Sequence, residues 1–296
     1  MTNDKVVISG KTKLLGVIGH PVEHSLSPVM HNAAIAHLGL DYVYLPLPVK
    51  PENLQAAIQG FEAIGLTGFN ITIPHKQAIL PFLSSISPIA RAVGAVNTVW
   101  RTDAGWAGTN TDVEGFLAPL LTHNHNWSQT VAVILGNGGA ARAVVAGCAE
   151  LGCAEIYVVG RNIQTVEEFC NSWGNSALAD KLAGKLHACT RDKLPDLIAR
   201  TDLLVNTTPV GMHPHVEQSP LSLDEISLLA KGAIAYDLIY TPRPTQFLQQ
   251  AKQQGAIAID GLEMLVQQGA AALKIWLEQP APVDIMRQAL LQHLKL

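Results

Sequence analysis

Short runs of apolar, β-branched residues recur along the second half of the chain, and each is followed by a longer stretch of helical composition. The runs are VAVIL (131–135), EIYVV (155–159), KLHAC (185–189), DLLVN (202–206), AIAYDL (233–238) and AIAID (256–260). Strands that alternate with helical crossovers form parallel sheets, and nearly continuous apolar strands are typical of sheets covered on both faces. The pattern therefore predicts a doubly wound, Rossmann-like α/β domain.

A second α/β unit is predicted before residue 112. Its strand-like segments are LLGVIG (14–19), YVYLPL (42–47) and LTGFNITI (66–73), with helical stretches near 28–38, 51–64 and 76–83 and an antiparallel pair around 94–101 and 105–112. The residues after Asp260 have helical spacing. We expect three segments: an N-terminal α/β domain (1–111), a dinucleotide-binding domain (112–261) and C-terminal helices (262–296) that return to the first domain.

Composition narrows the class of protein. The 296-residue chain is 48% hydrophobic and only 15% charged, with a formal net charge of -4. It can fill two cores, and it offers no basic surface for a nucleic-acid backbone. The N-terminal residues have no apolar core of signal length, and no apolar run of spanning length follows. We expect a cytoplasmic protein with no nucleic-acid or membrane partner; the sequence leaves open whether it is a monomer or a homodimer.

The eleven histidines raise the question of a metal site. The pairs His123 and His125, and His213 and His215, lack the i, i+4 spacing of helical ligands and have no acidic or cysteine cluster nearby. The four cysteines form no CxxC pair. We therefore expect no metal.

The segment VAVILGNGGAARAVV places a glycine-rich turn directly after a predicted strand and at the start of a predicted helix. Gly136 permits the tight turn, Gly138 allows backbone amides to approach a pyrophosphate, and Ala141 is small enough for close helix packing. A glycine motif alone is weak, because glycine turns connect many strands to helices. Its position between strand and helix favours a dinucleotide site.

The next strand ends in VVGRN, where an NAD site carries an acidic residue for the ribose hydroxyls. Arg161 can instead bind a 2′-phosphate through charge-assisted hydrogen bonds, so the sequence favours NADP as the cofactor. The alternative is that Arg161 is a solvated surface arginine.

Polar residues recur at the predicted element ends of the first domain: Ser25, Ser27, Asn70, Thr72, Lys76, Asn97 and Asp112. Each has a structural alternative, because Ser27 and Asp112 suit helix caps and Asn97 suits a turn. Together they offer hydroxyl and amide groups for a small polyhydroxylated molecule, with one cation and one anion for proton transfer.

Taken together, the motifs along the chain resemble those of a known family. The segments SLSPVMHN, GFNITIPHK, GAVNT, GTNTDVEG, GNGGAARA, NTTPVGM, YDLIYTPRPT and DGLEMLVQQ follow in order the motifs of the shikimate dehydrogenases. The resemblance spans about residues 14 to 275. It implies an enzyme that interconverts 3-dehydroshikimate and shikimate with NADPH, in the pathway to aromatic amino acids.

The resemblance also implies roles for individual residues. The substrate contacts are Ser25, Ser27, Thr72, Asn97, Tyr240 and Gln268, and the catalytic pair is Lys76 and Asp112. The cofactor contacts are Gly136, Asn137, Gly138, Gly139, Ala140, Arg161, Thr207, Leu238 and Gly261, with Met264 beside the nicotinamide. Lys76 is the proposed proton donor, because hydride transfer to a ketone leaves negative charge on its oxygen.

One departure from the family pattern concerns the cofactor. The family's loop reads Asn-Arg-Thr with a further lysine or arginine three positions later, whereas here Gly160, Asn162 and Thr165 surround Arg161. With one cation fewer, a quinate/shikimate dehydrogenase that also uses NAD stays open as an alternative. The second alternative is a non-catalytic dinucleotide-binding regulator on the same fold.

Overall fold

Residues 8–296 are described by the structure, a computed structural model, and they form two compact units. Unit 1 comprises the residues up to Ala90, Gly94–Thr111 and Val266–Leu296, and unit 2 comprises Arg91–Val93 and Asp112–Leu265. The first seven residues, which entered the expectation about a secretion signal, lie outside the described part. The assignment of substrate to the first domain and nucleotide to the second stays a prediction.

Helices and strands alternate along most of the chain. Before residue 112 they are β1 (Lys13–Gly19), α1 (Ser27–His37), β2 (Tyr42–Pro48), α2 (Leu54–Ala63), β3 (Gly68–Ile71), α3 (His75–Ala78), β4 (Ser85–Ile86), α4 (Pro88–Val93), β5 (Thr98–Thr102) and β6 (Gly105–Thr109). They continue with α5 (Asp112–Leu120), β7 (Val131–Leu135), α6 (Gly139–Leu151), β8 (Glu155–Gly160), α7 (Ile163–Asn171), α8 (Ala179–Leu182), β9 (Leu186–Thr190), α9 (Leu194–Ile198), β10 (Leu203–Asn206), α10 (Leu223–Ile226), β11 (Ile234–Asp237), α11 (Gln246–Gln253), β12 (Ile257–Ile259), α12 (Gly261–Leu277) and α13 (Val283–His293).

The helix expected over 76–83 is shorter than predicted. Helix α3 ends after a single turn at Ala78, and a 3₁₀ turn over Leu80–Phe82 follows it. Pro81 lies inside that turn, and a proline lacks the N–H that a continuing α-helix requires. Strand β3 ends at Ile71, two residues earlier than expected, so Thr72 follows the strand instead of lying within it.

The unit 1 sheet is mixed, with strand order β2-β1-β3-β5-β6-β4. Strand β1 is parallel to β2 and β3, β5 is antiparallel to β3, and β6 is antiparallel to β5. The carboxyl ends of β1, β3 and β6 and the amino end of β5 therefore lie at one edge. Gly68 in β3 allows α12 to approach the sheet, because an added Cβ would lie 2.2 Å from Trp276 Nε1, which donates to the Val99 carbonyl at 2.9 Å.

The unit 2 sheet contains six parallel strands in the order β12-β11-β10-β7-β8-β9. The chain order reverses between β7 and β10, which is the strand order of the doubly wound dinucleotide-binding fold. The predicted α/β class and its parallel sheet are confirmed. In such sheets, ligands bind outside the carboxyl ends of the strands at the reversal point.

Helix α6 packs closely against α5 within unit 2. A Cβ added at Gly147 would lie 2.4 Å from the ring of Phe116, and that ring stacks on Tyr236 with centroids 5.2 Å apart. The nine α6 residues from Ala141 to Ala149 are all buried, which fixes the helix that follows the glycine-rich turn. Within residues 8–296, none of the helices is long and apolar enough to cross a membrane.

Candidate functional site

Polar side chains gather at the edge of the unit 1 sheet where β1 and β3 end and β5 begins. Ser25 and Ser27 follow β1, Thr72 and Lys76 follow β3, and Asn97 precedes β5. Because β5 is antiparallel to β3, its first residues lie beside the last residues of β3. The sheet topology therefore brings residues that are far apart in sequence to one edge.

A buried hydrogen-bond network extends along this edge. The Tyr44 hydroxyl donates to Asn70 Oδ1 at 2.7 Å, and Asn70 Nδ2 donates to the Asn97 carbonyl and to Thr98 Oγ1, both at 3.0 Å. Asn97 Nδ2 donates to Thr111 Oγ1 at 2.9 Å and to Gln268 Oε1 at 3.3 Å, and Asn97 Oδ1 accepts from the Thr111 amide at 2.7 Å. Hydrogen bonds are stronger in buried, low-dielectric surroundings, so the network fixes the amides of Asn97 and Gln268.

Ser27 does not have the capping role that was its structural alternative. Helix α1 begins at Ser27 itself, and its N-cap residue Leu26 makes no side-chain capping bond. The Ser27 amide donates to Ser25 Oγ at 3.3 Å. Burial raises the pKa of Tyr44 well above its usual range, and a hydrogen bond with the Ser27 side chain opposes this effect. Ser27 thus faces the network instead of the helix end.

Lys76 lies half-buried in the single turn of α3. Its carbonyl accepts from the Val96 amide at 2.8 Å, and the buried ring of His75 contacts the Val49 carbonyl through Nε2 at 2.7 Å. His75 therefore binds away from its neighbour and fixes α3 to the end of β2. The backbone that carries the lysine is held from both sides.

Asp112 and Tyr240, the other two predicted residues that act on substrate, are grouped with unit 2. Asp112 is the first residue of α5 and is 6% exposed. An acidic side chain at this position is stabilised by the helix dipole. Tyr240 follows β11 by three residues and is half-buried. The roles that the sequence assigns to these residues stay predictions.

His31 in α1 is a buried neighbour of the network that sequence reasoning missed. Its ring stacks on Tyr44 with centroids 4.2 Å apart and lies 5.5 Å from Trp276. Within residues 8–296, neither ring nitrogen has a partner that meets hydrogen-bond geometry. Burial lowers the pKa of His31 to about 3, against a smaller opposing effect of the nearby Asn70 side chain.

We expect the contribution of His31 to the free energy of unfolding to fall as the pH drops from about 6.5 toward 3. Over this range the unfolded chain protonates His31 and the folded chain does not, so acid favours unfolding by up to about 1.4 kcal/mol per pH unit. Urea unfolding at pH 7, 6 and 5 measures the slope. His31→Phe should make it shallower, whereas His37→Phe, at the exposed end of α1, should leave it unchanged. Equal slopes in wild type and His31→Phe would contradict the prediction.

The glycine-rich turn of unit 2 lies at the reversal point of the sheet. Gly136 has φ of 102°, a conformation that favours glycine, and an added Cβ would lie 2.8 Å from Thr207 Oγ1. The loops after β7 and β10 are therefore in contact. A Cβ at Gly138 would meet no atom within 4 Å, so the backbone there is open to a ligand. These features fit a pyrophosphate at the start of α6.

Arg142 is a cation near this turn, and its guanidinium is already bonded to other residues of the protein. Its side chain donates to the Val93 carbonyl and, through Nη1, to Ser172 Oγ at 3.0 Å, and its guanidinium lies 4.8 Å from the Trp173 ring. Val93 is grouped with unit 2. Burial lowers the pKa of Arg142. Arg142 therefore anchors α6 and is not oriented for a ligand phosphate.

The loop after β8 carries the features expected of an adenosine site. Arg161 is exposed, and Asn162 caps α7 by accepting the Gln164 amide at 2.9 Å. Asn137 in the glycine-rich turn donates to Thr165 Oγ1 at 3.2 Å. The two loops are thus joined by a hydrogen bond, with Arg161 available at the surface for an anionic group.

The remaining predicted cofactor residues lie after β10, after β11 and at the start of α12. An added Cβ at Gly261 would lie 2.1 Å from the Leu238 carbonyl oxygen, so only glycine permits this approach. Thr207 Oγ1 donates to the Leu135 carbonyl at 2.7 Å, and Met264 is 9% exposed. Within residues 8–296, no cluster of three or more His, Cys, Asp or Glu side chains could hold a metal ion.

Sequence reasoning did not include Tyr44, Thr98, Thr111, Asn206 and Asp237 among the candidate residues. All five are buried and hydrogen-bonded. Asn206 and Asp237 had a signal, because each is a polar residue at the end of an apolar parallel strand. Tyr44 had no such signal in the sequence, because a tyrosine in a strand is usually a core residue.

Comparison with known proteins relates both ends of the chain to one family. Residues 17–99 match the family described as shikimate dehydrogenase substrate binding domain. Residues 261–291 match the family described as shikimate 5′-dehydrogenase C-terminal domain. A protein of Trichormus variabilis named shikimate dehydrogenase (NADP(+)) is 68% identical over 98% of this chain and 100% of its own length.

Two crystal structures show the same fold. Shikimate 5-dehydrogenase from Listeria monocytogenes, in complex with shikimate and NAD, has a TM-score of 0.83 and 36% identity over 96% of this chain and 98% of its own. Shikimate 5-dehydrogenase from Thermus thermophilus, in complex with NADP(H) and shikimate, has a TM-score of 0.81 and 34% identity over 94% and 98%. The Trichormus variabilis protein is 68% identical and is matched over nearly the whole of both chains. The present chain therefore belongs to the shikimate dehydrogenase family.

Proposed function

We propose that this chain catalyses the reversible NADPH-linked reduction of 3-dehydroshikimate to shikimate, a step on the route to aromatic amino acids. The observation that carries the proposal is its similarity, along nearly the entire length, to proteins named shikimate dehydrogenase (NADP(+)). Both kinds of site that the reaction needs have candidates in the described residues. One is the polar edge of unit 1, and the other is the glycine-rich turn of unit 2.

The unit 1 edge supports the binding of a small polyhydroxylated substrate. Ser25, Ser27, Thr72, Asn97 and Gln268 are the proposed contacts at this edge. Tyr240, which the family resemblance also assigns to the substrate, belongs to unit 2. The amides of Asn97 and Gln268 are fixed by buried hydrogen bonds before substrate arrives. Fixed polar groups lose little entropy on binding, which favours both affinity and orientation.

Lys76 is the proposed proton donor. Its ammonium stabilises the negative charge that develops on the ketone oxygen and delivers a proton to it. In the reverse direction the neutral amine accepts the proton of the alcohol. Its backbone is held by Val96 and its neighbour by Val49, which supports a precise position for the amine. Asp112 is proposed to hold a substrate hydroxyl.

The residues around the glycine-rich turn fit NADPH, which when bound supplies the hydride. Gly136, Asn137, Gly138, Gly139 and Ala140 would hold the pyrophosphate at the start of α6. Arg161 would bind the 2′-phosphate, and the remaining contacts are Thr207, Leu238, Gly261 and Met264. The close approach of Gly261 to the Leu238 carbonyl supports a cofactor site in which these two residues lie side by side.

The second candidate function is a quinate/shikimate dehydrogenase that also uses NAD. It is favoured by the loop after β8, where the neutral Thr165 occupies the position of the family's second cation. In the structure the Thr165 hydroxyl is bonded to Asn137 and to the Asn162 carbonyl. Such neutral groups suit a ribose hydroxyl as well as a phosphate.

A spectrophotometric assay at 340 nm of shikimate and quinate, each with NADP and NAD, tests the proposal. We expect kcat/KM to be highest for shikimate with NADP. Comparable values for quinate or NAD would establish the broader activity. Protein that binds NADPH but does not oxidise it with 3-dehydroshikimate would refute the enzymatic proposal and favour a dinucleotide-binding regulator.

We further propose that the protein acts in the cytoplasm on small molecules, as a monomer or a homodimer. The low charge content supports a small-molecule ligand over nucleic acid, because it provides no basic surface for a phosphate backbone. Sedimentation of the purified protein, with and without NADPH, distinguishes the two oligomeric states.

A further inference from the structure

Asp237 is a fully buried carboxylate that the proposed mechanism does not use. It is the last residue of β11 and is 0% exposed. Its Oδ1 accepts from Asn206 Nδ2 at 3.0 Å and from the Ile239 amide at 3.1 Å. Its Oδ2 accepts from Thr245 Oγ1 at 2.6 Å. One carboxylate therefore binds three chain segments.

Asn206 extends this network into the loop after β10. Its Nδ2 donates to Asp237, so its Oδ1 faces the loop and accepts from the amide and the hydroxyl of Thr208 at 3.0 and 2.7 Å. The Nδ2 group also donates to the Val210 carbonyl at 3.3 Å. The orientation of the Asn206 amide, and with it the course of residues 206–210, thus depends on Asp237 as an acceptor.

The segments joined in this way carry three of the proposed ligand contacts. Thr207 lies between Asn206 and Thr208, which are hydrogen-bonded to each other, and Leu238 and Tyr240 flank Ile239, whose amide donates to Asp237. Asn206 and Asp237 are register partners in adjacent parallel strands. The network therefore lies at the carboxyl edge of the sheet, beside the reversal point where ligands of this fold bind.

Asp237 forms no ion pair with any residue in the described part of the chain. Burial raises the pKa of Asp237 to about 6, the three donors oppose the rise, and the nearby Asp260 adds to it. Asp260 itself pairs with Arg243 at 2.5 Å. A buried carboxylate without a cation costs stability. A neutral amide of the same shape would reduce that cost. Its NH2 group would face either the Asn206 and Ile239 donors or Thr245 Oγ1, whose hydroxyl would then have to accept instead of donate.

We propose that Asp237 is a positioning residue for ligand binding: its carboxylate, which only accepts hydrogen bonds, holds Thr207, Leu238 and Tyr240 in the arrangement that receives NADPH and substrate. The inference rests on the proposed function, since those three contacts belong to it. Asp237 acts through these residues and does not itself touch a ligand.

The test compares wild type with Asp237→Asn, which keeps the side-chain shape and replaces one acceptor by a donor. We expect the Kd for NADPH, from titration of its fluorescence, to rise about tenfold, as the disturbance of one or two buried hydrogen bonds implies. The urea midpoint should be equal to that of wild type or higher, because the buried charge is gone. Asp196→Asn, on the exposed face of α9, is the matched control and should change neither value.

The outcomes separate this inference from the proposed function. Wild type that binds neither NADPH nor NADH would refute both. Wild type that binds NADPH, together with a folded Asp237→Asn variant whose Kd is within twofold, would overturn the role of Asp237 alone. If Asp237→Asn does not fold, Thr245→Val, which removes the donor to Oδ2, replaces it. A Kd about threefold higher supports the inference, and an unchanged Kd overturns it.

Discussion

Replacing Lys76 with methionine should lower kcat for the reduction of 3-dehydroshikimate about 1,000-fold, within the range that a positioned general acid contributes. Methionine keeps most of the side-chain length and removes the ammonium. The developing alkoxide then has neither a cation beside it nor a proton donor. Steady-state kinetics in both directions measure the loss, and the Kd for NADPH should stay within twofold of wild type, since the proposed cofactor contacts are untouched.

The matched control is Lys13→Met, at the amino end of β1 and at the opposite edge of the same sheet. It should retain wild-type kcat. Small primary amines added to a Lys76→Ala variant, which leaves space for them, should restore part of the activity as their concentration rises. A Lys76→Met variant with more than a tenth of wild-type kcat would show that another group donates the proton, and the assignment of Lys76 would be wrong.

Replacing Arg161 with alanine should lower the preference for NADP over NAD about 20-fold, measured as the ratio of kcat/KM for the two cofactors. A hydrogen-bonded guanidinium–phosphate contact at an exposed site accounts for a loss of this size. The effect should fall on KM for NADP, because the 2′-phosphate is remote from the transferred hydride. Activity with NAD should be nearly unchanged.

Two further variants make the result specific to charge at this loop. Arg161→Lys should recover part of the preference, since an ammonium retains the charge and loses the bidentate geometry. Thr165→Lys should strengthen the preference beyond that of wild type, because it adds a cation at the position where the family pattern has one. If Arg161→Ala keeps the wild-type ratio, Arg161 is a solvated surface residue and the broader NAD-using activity becomes the better description.

The extent to which the sequence determined the fold is clear from the two sheets. The six apolar runs after residue 131 all form strands of one parallel sheet, because continuous apolar runs between helical stretches have few other ways to bury both faces. Strand ends were less certain. Thr72 was expected inside β3 and follows it, and the helix after Pro74 is a single turn, since prolines interrupt both elements within eight residues.

The sequence also identified which polar residues deserved functional interpretation, because hydroxyl, amide and charged groups at strand ends are where α/β proteins bind ligands. The tertiary structure shows that Ser27 does not cap α1, which was its structural alternative. It also shows that the ring of His75 contacts the Val49 carbonyl. Neither outcome follows from local spacing, since each depends on a partner distant in the chain: Tyr44 for Ser27 and Val49 for His75.

The sequence by itself determined the alternation of strands and helices, the glycine-rich turn, the position of Arg161 after the next strand, and the family. Only the tertiary structure showed that Tyr44, Asn70, Asn97 and Gln268 form one buried network, that His31 lies beside it, and that Asp237 joins three segments of unit 2. The physical reason is that periodicity reports which face of an element is buried, whereas a buried polar group is defined by partners that chain folding brings from elsewhere.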